Sequence, residues 1–142
     1  MQKKRILLFG ANGQLGRSIY VELSPYFDVI PCININKKGT ELFENSEISV
    51  DISNSNDVQS TIQKFSPEIV INSAAFTNVD KCETDKETAF KVNVKGLKNL
   101  VKYSSKKTHI IQISTDYVFD GEKGDYSEFD PTYPKSYYGK TK

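Results

Sequence analysis

Tyr138 and Lys142, in the stretch "SYYGKTK", stand four positions apart. On a helix that spacing stacks the two side chains on one face, a turn apart. A tyrosine alone has a pKa of about 10, too high to exchange a proton at neutral pH, and a nearby ammonium lowers it by stabilising the phenolate. The pair is therefore a candidate proton donor and acceptor. Tyr137 lacks such a partner, because Thr141 stands four residues on. Upstream, "STDYVF" offers Ser114 and Thr115, which carry hydroxyls, and Asp116; at the carboxyl end of a strand in an open parallel sheet they would face a ligand. Taken singly, either hydroxyl would serve equally well as a cap for local backbone groups.

A second stretch, "GANGQLG", carries Gly10, Gly13 and Gly16, with Asn12, Gln14 and Leu15 between them. Glycines at such a turn let backbone N–H groups approach a pyrophosphate, and a helix beginning there adds partial positive charge. Three glycines alone would be a plain turn; a strand before them and a helix after them make the turn a dinucleotide site.

The elements that must hold these residues follow from period. "RILLFG" is a short apolar run ending on glycine, as a strand buried on both faces requires. From Gln14 to Tyr26, Leu15, Ile19 and Leu23 recur every fourth position, which predicts a helix. "FDVIPCIN" and "EISVDI" read as the second and third strands, "NDVQSTIQKF" as a helix, and "EIVINSAA" as the fourth strand. A long helix follows from about Lys86 to Tyr103 with a stripe of Phe90, Val94, Leu97 and Val101, then a fifth strand, "HIIQISTDYVF". Strands alternating with helices imply right-handed crossovers, hence an α/β, Rossmann-like doubly wound parallel sheet of about five strands. "DGEKGDYSEFDPTYPKS" reads as an exposed loop leading to Tyr138.

The 142 residues suit one domain, or part of a larger one. With 19 Lys plus Arg against 18 Asp plus Glu, no excess charge points to nucleic acid or an anionic membrane. No run is long enough to span a bilayer, and Cys32 and Cys82 lack metal-ligand spacing; a cytoplasmic protein with no metal site is expected. His109 opens the fifth strand at the end away from the ligand crevice and reads as structural.

A carboxylate after the second strand would select NADH by binding the ribose 2′-hydroxyl. Asn34, Asn36, Lys37 and Lys38 stand there instead, and their ammonium and amide groups suit a 2′-phosphate. NADPH is the expected cofactor, with NADH the alternative.

With these motifs in hand the chain resembles the extended short-chain dehydrogenase/reductases, and within them the dTDP-4-dehydrorhamnose reductase branch. "NSAAFTNVDKCE", "VNVKGLKNL", "STDYVFDG" and "YGKTK" carry that resemblance, in the branch's order. It implies hydride transfer from the nicotinamide to the 4-keto group of a dTDP-linked 4-keto-6-deoxysugar. By this match Tyr138 protonates the developing alkoxide, Lys142 lowers its pKa and holds the nicotinamide ribose, and Thr115 bonds the reacting oxygen. Asp51, with Ile52 beside it, matches the adenine contact; Ala74 and Ala75 line the cofactor path, with Thr77 and Val79 nearby. Ser18 replaces the glutamate of a metal-linked dimer in some members, leaving a homodimer open. The resemblance spans only the front half of the family's length, so these residues by themselves are expected to bind cofactor without turnover. An epimerase or dehydratase on the same scaffold, or a non-catalytic dinucleotide-binding regulatory subunit, are the alternatives.

Overall fold

The structure, a computed structural model, describes residues 3–34, 41–43 and 46–142. The apolar run at the start becomes β1 (Arg5–Phe9), in which Ile6, Leu7, Leu8 and Phe9 are each at most 1% exposed. Burial on both faces is what a central parallel strand requires. After β1 come α1 (Gln14–Leu23), β2 (Asp28–Ile33), a short 3-10 turn (Glu41–Phe43), β3 (Ile48–Ser49), α2 (Ser55–Phe65) and β4 (Ile69–Asn72). Then follow α3 (Val79–Thr84), α4 (Lys86–Ala89), a π-helical turn (Phe90–Lys95), α5 (Gly96–Tyr103), β5 (His109–Gln112), a 3-10 turn (Asp116–Val118) and α6 (Tyr137–Thr141).

The sheet runs β3-β2-β1-β4-β5, all parallel, with Ile6 opposite both Val29 and Ile69. Chain order therefore reverses between β1 and β4, and a crevice opens at their carboxyl ends. Alternation along β1 sends Leu7 and Phe9 to one face, where Val58 and Ile62 of α2 and Leu100 of α5 cover them. Ile6 and Leu8 point to the other, against Ile19, Tyr20 and Leu23 of α1 and the Phe43 ring.

Four local expectations are corrected. In the first helix Leu15, expected on its buried stripe, is 48% exposed at the mouth of the crevice. The segment 86–103 is three pieces, and its buried positions are Ala89, Asn93, Gly96 and Leu100; Phe90 and Val101 of the expected stripe are 39% and 59% exposed. Small Ala89 and Gly96 allow close approach to the layer beneath, and the π turn shifts the register by which the larger apolar residues would have faced inward. The third correction is α3, absent from the expected elements. The fourth is β5, which stops at Gln112, seven residues before the expected end. Its ladder closes with Ile113 N–H donating to the Asn72 carbonyl at 3.1 Å, and Thr115 Oγ1 then accepts from Tyr117 N–H at 3.3 Å to begin the 3-10 turn.

Cys32 and Cys82 are both free and buried, and burial raises both thiol pKa values. Among the described residues no helix is long and apolar enough to cross a membrane.

Candidate functional site

The crevice holds a cavity of about 540 Å³. One end is the glycine turn. Gly10 and Ala11 N–H both donate to the Cys32 carbonyl, at 3.0 and 3.1 Å, which ties the turn to the end of β2. Gly10 adopts φ +76°, and a Cβ there would lie 2.6 Å from the Ala74 backbone nitrogen. Only glycine meets both demands, so the turn can pass directly under the segment that leaves β4. A Cβ on Gly16 would overlap the Gly10 carbonyl oxygen, so the third glycine lets α1 rise close against the turn. Gly13 occupies the N-cap of α1 without any side-chain cap, which leaves the first N–H groups of the helix facing the crevice. The Asn12 Nδ2 is buried there with no partner among the described residues. Orphaned donors at a helix start, with no side chain in the way, fit a phosphate.

Asn34, Val50, Asp51 and Ile52 form the next wall, beyond the ends of β2 and β3. The Asp51 carboxylate accepts from Ser53 N–H at 2.9 Å and Ser53 Oγ at 2.8 Å, so its own turn holds it in place. The opposite wall is Ser73, Ala74, Ala75 and Thr77. Ser73 Oγ donates to the Phe9 carbonyl at 2.8 Å, tying the end of β4 to that of β1.

The far end is built by α6. Ser136 caps it by accepting from Gly139 N–H at 3.0 Å, and the Glu83 carboxylate of α3 accepts from Tyr137 N–H at 2.6 Å. A Cβ on Gly139 would strike the Tyr117 carbonyl oxygen, so glycine there allows α6 to touch the turn after β5. Tyr138 is 8% exposed and meets Tyr117 edge-on, with ring centroids 5.7 Å apart. Lys142 Nζ donates to the Ile113 carbonyl at 2.8 Å, and burial lowers the pKa of its ammonium.

Tyr138 and Lys142 thus share one cavity with Gly10, Asn12, Gly13, Gln14, Leu15, Gly16, Asn34, Asp51, Ile52, Ala74, Ala75 and Thr77. Two expected residues remain. Lys37, with Asn36 and Lys38, lies outside the described residues. Thr115 stands just beyond the wall, where Ser114 and Ile113 face the cavity, and its hydroxyl accepts from Tyr117 N–H and donates to Asp116 Oδ1 at 3.2 Å.

Sequence reasoning assigned no role to Asn93. In the π turn its Oδ1 accepts from Phe76 N–H at 2.8 Å, while its Nδ2 donates to the Phe76 carbonyl at 3.2 Å and to Thr141 Oγ1 at 2.9 Å. Thr141 Oγ1 in turn donates to the Tyr138 carbonyl at 2.8 Å. One buried amide therefore joins the Ala75–Thr77 wall to the helix that carries Tyr138. The signal in the sequence was its place in "VNVKGLKNL", one of the stretches that carry the resemblance. Asn93→Ala is expected to lower unfolding stability by about 1–3 kcal/mol, because the part-buried Phe76 N–H loses its acceptor and the Phe76 carbonyl keeps only the Cys82 thiol. Urea unfolding of the variant checks it, and an unchanged midpoint would remove the amide from this role.

A parallel sheet of this order, with a glycine turn at the reversal and a cavity over the carboxyl ends of its strands, defines a Rossmann-like α/β protein. The chain belongs to the RmlD substrate binding domain family, whose model matches residues 4–142. It is similar to the dTDP-4-dehydrorhamnose reductase of Aggregatibacter actinomycetemcomitans, 38% identical over 140 residues, which cover 97% of this chain and 44% of that protein. A hypothetical dTDP-4-dehydrorhamnose reductase of Sulfolobus tokodaii has a solved structure with a TM-score of 0.86 and 38% identity, over 96% of this chain and 48% of that one. The dTDP-4-dehydrorhamnose reductase of Bacillus anthracis, solved in complex with NADP, gives a TM-score of 0.82 and 34% identity, over 99% and 47%. The chain spans about half the length of these relatives.

Proposed function

We propose that this chain is the cofactor-binding part of an NADPH-dependent reductase acting on the 4-keto group of a dTDP-linked 6-deoxysugar. The observation that carries the proposal is the single cavity running from the glycine turn to Tyr138 and Lys142. The relative solved with NADP supports the choice of dinucleotide.

The pyrophosphate takes the open N–H groups at the start of α1 and the unpartnered Asn12 amide. Asp51 and Ile52 border the adenine, Asn34 the ribose beside it, and Ala74, Ala75 and Thr77 the path to the nicotinamide. Bound there, the dinucleotide supplies the hydride that reduces the sugar carbonyl.

Tyr138 gives its phenolic proton to the oxygen that becomes the hydroxyl. Lys142 stabilises the phenolate left behind. Its ammonium has three donors, and with one on Ile113 the others are free for the nicotinamide ribose and the phenolate. Thr115 reaches the same oxygen by turning its donated hydrogen bond away from Asp116, while its acceptor side stays on Tyr117 N–H.

The test is absorbance-monitored NADPH oxidation by the full-length protein supplied with a dTDP-4-keto-6-deoxysugar. Stoichiometric oxidation is expected, faster than with NADH. Conversion of the sugar with no net loss of NADPH would establish the epimerase or dehydratase reading in its place.

A further inference from the structure

The adenine-side wall has little support from the sheet. Strand β3 is two residues long, paired with β2 through Ile48 and Ser49, and after Val50, whose N–H donates to the Ile33 carbonyl at 2.8 Å, the chain leaves the sheet for Asp51 and Ile52. What fixes that segment comes from the face of α5 turned toward it. Asn99 Nδ2 donates to the Ile52 carbonyl at 3.1 Å. Gly96, one turn earlier, lies so close that a Cβ on it would come within 3.0–3.4 Å of three atoms of the Ile52 side chain. One turn later, the Tyr103 hydroxyl meets Ser55 Oγ at 2.6 Å. Three successive turns of one helix thus grip residues 52–55, and Ile52, 6% exposed, is the member of that segment that also lines the cavity.

We propose that Asn99 is a positioning residue for the adenine end of the cofactor, acting through the Ile52 carbonyl. This rests on the dinucleotide reading given above. The amide has the right chemistry for the task. The Ile52 carbonyl lies three residues beyond the end of β3, outside the ladder, and an N–H donor from a helix supplies its partner. The neighbouring Asp51 carboxylate accepts from Ser53, and Asn54 N–H donates to the Asp51 carbonyl at 2.9 Å, so Asp51 shares a hydrogen-bonded turn with Ile52 and moves with it. The chemistry at the far end is held by Asn93, Glu83 and Ser136 instead. Adenine placement and proton transfer are therefore separable by mutation.

Asn99→Asp keeps the side-chain shape and removes the donor; Tyr103→Phe removes the neighbouring hydrogen bond alone. In the full-length protein, Asn99→Asp is expected to weaken adenosine 2′,5′-bisphosphate, measured by calorimetry, roughly tenfold. The KM for NADPH should rise to match, with kcat within about twofold of wild type. Tyr103→Phe should move the same constants the same way by less. Unchanged bisphosphate affinity in both variants, or a fall in kcat with KM unmoved, overturns the role of Asn99. A wild-type protein that binds neither the bisphosphate nor NADPH overturns the dinucleotide reading itself, and the inference with it.

Discussion

Tyr138→Phe in the full-length protein is expected to lower kcat by about 10²–10⁴, the usual worth of a positioned general acid, and to leave NADPH affinity nearly unchanged. The substitution removes one oxygen and little volume. Tyr138 is 8% exposed and its ring packs edge-on against Tyr117, contacts that a phenylalanine keeps. Its helix is held by groups other than the phenol: Ser136 and Glu83 at its start, and Thr141 with Asn93 at its end. Stability should therefore move little while turnover collapses, and that split between stability and kcat identifies a chemical role. Steady-state NADPH oxidation beside a thermal melt measures both. Turnover within tenfold of wild type would assign the proton to another donor, with Ser114, already on the cavity wall, the next to test.

Gly10→Ala is expected to act through the fold. Its φ of +76° costs an L-residue about 1–2 kcal/mol, and the methyl would press within 2.6–2.8 Å of the backbone of Ser73 and Ala74. Backbone atoms on both sides have no rotamer through which to retreat, and overpacking of that kind adds about 1–3 kcal/mol. A total loss of about 2–5 kcal/mol in urea unfolding is the expected result. Where the protein still folds, the wall at Ala74 is displaced into the cofactor path, so NADPH affinity falls as well. A variant of native stability and native affinity would show that the turn tolerates a side chain and that its glycine serves some other need.

Asn93 and Asn99 show what the chain pattern hides. Both sit in a segment whose apolar period suggested a stripe of Phe90, Val94, Leu97 and Val101, and both make their hydrogen bonds to residues far off in sequence. Asn93 bonds Thr141, 48 positions on, and Asn99 bonds Ile52, 47 positions back. A hydrogen bond between distant segments leaves no period in either one, because it depends on which faces meet. The same limit explains Thr115 and Ser114. Both were placed by the end of an expected strand, but the strand closes early and a 3-10 turn takes up the Thr115 hydroxyl, so Ser114 is the one turned to the cavity.

The sequence by itself determined the alternation of strands and helices, the glycine turn between the first pair, and the one-turn spacing of Tyr138 and Lys142. Those features are set by side chains within a few residues of one another, where sterics and period act directly. Only the tertiary structure decided that the glycine turn and the Tyr138 helix open on one cavity, that α3 and a π turn intervene, and which face of α5 is buried. Those outcomes depend on close approaches at Gly10, Gly96 and Gly139, where the absence of a side chain matters only once another segment has arrived.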